Sequence, residues 1–340
     1  MMSKAVNKEA ELRPGAGPLQ SSIATPFVPS WTQKETQLRY SLSDYSLFSL
    51  RLTGYVYSVP LAPLLPATFE CDLEKFVSSA PPEVPALWVR NLPVARPLSK
   101  IQSANGRLRY TLNQCWQYYA DLRGNFDNYL ASLSGKTRST VKRKVRKFAS
   151  LHRDNIDWRV YKRVGEMSEY HTLARQVAVK TYQERLFNGA LPASERFKAG
   201  LLELAATDQV RGYLLFSSGS PIAYLHLPVR DGVVQYAYLG YDPAYAAVSP
   251  GSVLLYLAIA DLMAEERFSY FDFSYGTGQT KEVFSTAKYL RSDVLHLTPS
   301  TKHYLAIYGH SGLNLLSATL GRASERLNFR STIKRVLREK

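Results

Sequence analysis

The sequence predicts a mixed α/β (α+β) protein with a mostly antiparallel sheet flanked by helices. Residues 212–217, 221–228 and 233–240 read as strands, and Ser218-Gly219-Ser220 and Arg230-Asp231-Gly232 between them suit antiparallel hairpins. An almost uninterrupted apolar run over 253–263 follows a Ser-Pro-Gly-Ser loop and reads as a buried helix. Tyr270-Phe271-Asp272-Phe273-Ser274 comes directly after that helix, which predicts a strand returning parallel to its predecessor through a crossover.

The other elements follow in chain order. Residues 1–30 are rich in Ala, Pro, Ser, Gly and charge and lack the apolar stretch of a secretory signal, so they are expected to be a disordered leader. Residues 38–59 carry alternating, β-branched and aromatic side chains and predict strands. A proline-punctuated region with a short helix near 73–78 comes next, and then an apparent strand pair, 86–89 with 107–111. Phe126, Tyr129, Leu130 and Leu133 lie on one side of a predicted helix that Ser134-Gly135 interrupts. Beyond it Val141, Val145 and Phe148 form the single apolar stripe of a basic helix. A strand over 156–161 and helices over 165–184 and 193–206 lead to the hairpins, and a short helix at 281–285, a last strand at 293–297 and a helical remainder close the chain.

Composition limits the function classes. The 340 residues accommodate about two domains by the usual prior of roughly 150 residues each. The longest apolar run is too short to span a bilayer, and with two cysteines far apart in sequence and no disulfide framework suggested, a reducing cytoplasm is the expected location. Cys71 and Cys115 form no Cys-x-x-Cys arrangement, and no zinc, nucleotide-fingerprint, nucleophile-elbow or Walker pattern occurs, so no metal is expected. The net charge of +15 calls for an anionic partner. Residues 136–147 hold seven cations and no acid, too one-sided for ordinary helix pairing, and 322–340 are again basic. Lys142, Arg143 and Arg146 are the candidate anion-binding residues there; the alternative is a solvated face.

The start of the apolar helix carries the most chemistry. Ser249-Pro250-Gly251-Ser252 combines hydroxyls able to cap, a proline tolerated in the first turn and a glycine permitting close approach, and such a start offers free N–H groups to phosphate. The plain alternative is a good helix start and nothing more.

The order of these pieces resembles the GNAT superfamily, and within it the CelD-like acetyltransferases, relatives of Fem-type aminoacyltransferases. The residues that carry the resemblance are 238–243, Ser249-Pro250-Gly251, Phe271-Asp272-Phe273, Gly276 with Gly278, Lys281 and Phe284, over a likeness covering about 122–290. The chain departs in having Ser274 where a glycine is more usual and Thr280 where a tyrosine commonly precedes the lysine. The resemblance implies tandem GNAT-like halves: a degenerate N-terminal half at 31–121, the acyltransferase domain at 122–300 and a basic helical extension at 301–340.

Acyl transfer from a thioester to an amine needs the donor carbonyl held, its phosphates neutralised and a neutral amine delivered in line. The strand end at Leu239, Gly240 and Tyr241 is expected to splay and bond the pantetheine arm of acetyl-CoA or another acyl-CoA, with Ser249, Gly251 and Ser252 at its pyrophosphate. Asp272, a lone carboxylate between aromatics, is the candidate to accept a proton or orient the amine, and Lys281 is its candidate partner, catalytic or structural. Tyr275 and Tyr241 lie where a phenol could protonate the leaving thiolate, although a chain with 23 tyrosines also needs them for packing. His226 alternates with apolar neighbours and reads first as a core or surface histidine, second as a catalyst.

The reading is therefore an N-acyltransferase passing an acyl group, acetyl foremost, from acyl-CoA to a primary amine by direct attack. The resemblance tilts the acceptor towards an envelope or exopolysaccharide precursor. An acidic carrier protein or aminoacyl-tRNA as donor is the enzymatic alternative, a basic nucleic-acid-binding protein is the alternative of another class, and a homo-oligomer is left open.

Overall fold

The computed structural model describes residues 31–42, 45–65, 69–80, 83–104, 106–181, 190–276 and 278–326. The expected leader at 1–30, the end of the helix expected over 165–184 and the basic end of the chain beyond 326 lie outside the described residues.

The chain opens with β1 (Thr32–Leu42) and β2 (Tyr45–Ser58), antiparallel to each other, then α1 (Phe69–Ser79) and β3 (Ala86–Val94), which runs parallel to β2. Next come β4 (Ile101–Ala104) and the long β5 (Arg107–Asp121). Two helices follow, each begun by a side-chain cap: α2 (Phe126–Ser132), where Asn125 Oδ1 accepts from the Asn128 N–H at 2.8 Å, and α3 (Gly135–Ser150), where Ser134 Oγ accepts from the Thr137 N–H at 3.2 Å. Then come β6 (Trp158–Tyr161), α4 (Met167–Ala178) and α5 (Glu195–Ala206). The strands β7 (Val210–Ser217), β8 (Ser220–Arg230), β9 (Val233–Gln235) and β10 (Tyr238–Tyr241) precede α6 (Pro250–Ala264), and β11 (Tyr270–Tyr275), α7 (Gln279–Phe284), β12 (Ala287–Leu297) and α8 (Thr301–Arg326) complete the chain.

The two expected hairpins form for the expected reason. Ser218 and Gly219, and again Asp231 and Gly232, have positive φ at both central positions, the turn whose twist matches that of the flanking strands. The helix α6 is apolar on all sides and accordingly buried, with Val253, Leu254, Leu255, Ala258, Ile259 and Leu262 wholly covered. Behind it β11 returns parallel to β9, as a crossover requires.

The strands join in the order β1-β2-β3-β12-β5-β11-β9-β8-β7-β6, mostly antiparallel, with β10 on β8 and β4 on β5. The pairing differs from the expected one in two places. The segments 86–89 and 107–111 are not a pair, because β12 lies between β3 and β5 and bonds to both. The last strand is also longer than 293–297, beginning at Ala287, since Lys288, Arg291 and Asp293 interrupt an apolar pattern without ending the ladder. The strands β1 to β5 thus share one continuous sheet with the strands that follow them.

The sheet is clamped to the end of α6 by a buried cation. Arg211, 1% exposed, donates to Glu265 through Nε at 2.9 Å and Nη2 at 2.7 Å, and through Nη1 to Asp208 at 2.6 Å. Two parallel bonds to one carboxylate fix both distance and angle between β7 and the helix end. Replacing Glu265 by Ala leaves most of this guanidinium uncompensated and is expected to lower unfolding free energy by about 3 kcal/mol in a urea titration; Glu265→Gln should cost less.

Candidate active site

The site is built where two parallel strands separate. At their start Tyr270, Phe271 and Asp272 of β11 pair with Val233, Val234 and Gln235 of β9. The last main-chain bond between them runs from the Tyr236 N–H to the Asp272 carbonyl at 2.9 Å, and the next N–H, that of Ala237, turns to the His226 carbonyl on β8 at 3.3 Å. Between the pairs Val229↔Val234 and His226↔Tyr238, three steps along β8 face four along the other strand, so one extra residue bulges there. Beyond the bulge β10 stays with β8, and among the described residues no main-chain ladder joins it to β11.

The far end of this gap meets the start of α6. Ser249 sits in the left-handed region at φ 54° and makes no side-chain cap, contrary to the capping role expected of its hydroxyl. Its carbonyl takes the N–H groups of Ser252 and Val253, and Pro250 has none, so the Gly251 N–H has no main-chain acceptor among the described residues. A Cβ on Gly251 would stand 3.1 Å from Leu239 Cδ2 and 3.5 Å from Tyr241 Cδ1, which is why glycine permits the helix start to press on β10. Gly240 answers a different crowding, since a Cβ there would overlap the Tyr224 ring at 2.4 Å.

The basic helix α3 lies against this start. Lys144 Nζ donates to Ser252 Oγ at 3.2 Å and Lys147 Nζ to the Ala247 carbonyl at 3.1 Å. Lys142, Arg143 and Arg146 are exposed on the outer side of α3. Lys144 and Lys147 were not singled out in the sequence; the signal was available for Lys144, which falls three residues after Val141 and four before Phe148 on the buried stripe.

The opposite face of the sheet is polar. Val234, Phe271, Phe273, Tyr118 and Ala120 pack with α6 in one core, while Gln235, Asp272 and Gln117 point the other way into a cleft of about 620 Å³. Asp272 Oδ1 accepts the Ser274 N–H at 2.7 Å and a bond from Gln117 Nε2. Burial pushes its carboxyl above the ordinary range, a push the Ser274 and Gln117 bonds, Lys281 and Arg291 reduce but do not cancel. Lys281 does not pair with Asp272 as expected. Its Nζ donates to the Tyr275 carbonyl at 2.5 Å, and burial lowers its pKa, with Asp272 and Cys115 opposing. Tyr275, 53% exposed, has the Arg291 guanidinium 4.1 Å from its ring centre, and Arg291 Nε also reaches Cys115 Sγ at 3.4 Å. Asp272, Tyr275 and Lys281 therefore gather at one end of β11, joined by Gln117, Arg291 and Cys115.

Residues 135–282 match the family model described as the acetyltransferase (GNAT) domain. This segment is a GNAT-type acyltransferase domain. No curated protein matches the chain. Among solved structures it is similar to FemX, at 9% identity over 80% of this chain and 90% of that one with a TM-score of 0.48. It is also similar to L-PGS from Bacillus licheniformis, at 12% identity over 78% and 86% with a TM-score of 0.42. A third, the PaiA N-acetyltransferase from Thermoplasma acidophilum in complex with coenzyme A, matches at 16% identity over 33% and 75% with a TM-score of 0.24. No helix among the described residues is long and apolar enough to cross a membrane.

His226 faces away from α6, among the rings of Tyr170, Phe197 and Tyr238, with Nδ1 buried and without a partner among the described residues. Burial, with a smaller push from His171, lowers its pKa to about 4. The unfolded chain binds this proton at about pH 6.5. The stabilisation from neutral His226 is thus complete above that value and lost as pH falls towards 4. A histidine NMR titration should find His226 neutral at pH 5, and His226→Phe should flatten the pH dependence of the melting temperature between pH 4 and 6.5.

Proposed function

We propose that the protein transfers an acyl group from acyl-CoA to a primary amine by direct attack. The observation that carries this reading is the divergence of β10 from β11 with the uncapped start of α6 at its mouth. The pantetheine arm would enter between the strands and bond to the edge of β10 at Leu239, Gly240 and Tyr241. The pyrophosphate would meet the Gly251 N–H and the helix start, with Ser249, Ser252 and the Lys144 ammonium beside it. Lys142, Arg143 and Arg146 extend the same positive surface outward, towards the rest of the nucleotide or an acidic carrier of the thioester.

The thioester would then lie near Asp272, with the amine approaching from the polar cleft on the other face. The amine nitrogen attacks the carbonyl carbon, the C–N bond forms, and the C–S bond breaks as the tetrahedral intermediate collapses. Asp272, more basic than an exposed carboxylate, takes the proton that the nitrogen sheds, and the departing thiolate is protonated by Tyr275 or by water. Lys281 keeps the turn after β11 closed on the Tyr275 carbonyl and adds positive charge near the developing oxyanion.

Two substitutions test the two halves of the site. Gly251→Asp introduces bulk against Leu239 and a negative charge at the phosphate position; acyl-CoA affinity by calorimetry should fall at least tenfold, and an unchanged value would refute this placement. Asp272→Asn should leave acyl-CoA affinity within twofold and lower kcat roughly 100-fold, whereas equal loss of binding and turnover would make the residue structural.

A further inference from the structure

The polar cleft carries a charge pattern that acyl transfer to a plain amine does not need. Its lining includes Lys34 of β1, Arg90 of β3 and Arg230 at the end of β8, so cations stand on both walls. Among the described residues neither Lys34 nor Arg90 has a carboxylate within ion-pairing distance. Arg230 meets Asp231 only at 3.9 Å, with the two side chains 81% and 89% exposed, a contact too solvated to hold it. The other acid of the cleft, Asp272, lies on the floor, where the Ser274 N–H and Gln117 occupy its Oδ1.

The backbone at Arg90 is fixed by its surroundings. The next residue, Asn91, adopts a left-handed φ of 61°, its N–H is fixed by Asp293 Oδ1 at 2.9 Å, and the β3–β12 register shifts beside it. Such a bulge re-aims the side chains next to it. The guanidinium lies 5.1 Å from the centre of the Trp88 ring, and the Arg90 carbonyl accepts from the Val59 N–H at 2.9 Å, at the edge of the same cleft. These cations do not serve the donor's phosphates, because α6 and Lys144 stand on the opposite face of the sheet.

We infer that the acceptor is a phosphorylated amine: its nitrogen is directed to Asp272 on the floor and its phosphate is held by Lys34, Arg90 and Arg230 at the rim. Two guanidinium forks and an ammonium suit a phosphate dianion, and a cleft of about 620 Å³ has room for more than a small amine. The inference rests on the acyltransfer reading for the role of Asp272, but its anion site is tested without turnover.

The test is calorimetric titration of the full chain with glucosamine and with glucosamine 6-phosphate, which differ only in the phosphate. The wild type should bind the phosphate ester at least tenfold more tightly. The double variant Lys34→Ala/Arg90→Ala should lose that preference while keeping its melting temperature and acyl-CoA affinity, and Lys34→Arg should retain it. Equal affinities in the wild type, no binding of either ligand at millimolar concentration, or a preference that survives the double variant would overturn the inference. If the preference behaves as expected but neither compound is acylated from acetyl-CoA, the anion site stands and the acyltransfer reading falls.

Discussion

Everything in the site depends on the point at which one strand stops bonding to its parallel neighbour. A continuous ladder between β10 and β11 would close the sheet and leave no backbone edge for a ligand. The extra residue near Tyr236 and Ala237 prevents that closure: it commits β10 to β8 while β11 continues along β5. Main-chain groups of β10 are thereby left without a ladder partner on the side of β11, where an extended amide-containing arm can take the place of the missing neighbour.

The opened gap is useful because its two faces differ. On one side α6, apolar all round, supplies a dry wall and directs its uncapped start towards the end of the gap, while α3 brings Lys144 and Lys147 to the same spot. On the other side β5 and β12 present Gln117, Cys115 and Arg291 around Asp272. β12 has a second effect. By inserting between β3 and β5 it joins β1, β2 and β3 to the rest of the sheet, so these N-terminal strands supply Lys34 and Arg90 to a site whose reacting groups come from later in the chain.

Local chemistry was legible in the sequence. The two hairpin turns, the apolar α6 and the parallel return of β11 each follow from a few adjacent residues. Long-range pairing was not. Nothing in 287–297 says that it separates β3 from β5, since its partners lie nearly 200 residues away in the chain. β5 itself was legible only over 107–111, because the stretch Asn113-Gln114-Cys115-Trp116-Gln117 is mostly polar, leaves Trp116 exposed and lacks the clean alternation of a strand above solvent. Gln117 was lost with it, although it holds the carboxylate that was singled out. Asp272 stood out because a charged residue between two phenylalanines is costly; Lys281 was read as its partner because spacing alone does not say where a flexible amine points.

The central claim is that the donor thioester lies in the gap between β10 and β11 with its phosphates at the start of α6. Amide hydrogen exchange with and without acetyl-CoA tests it most directly. The account predicts slowed exchange confined to 238–252 and the facing end of β11. Protection that instead falls on β1, β3 and the cleft face, with 238–252 exchanging as before, would contradict it.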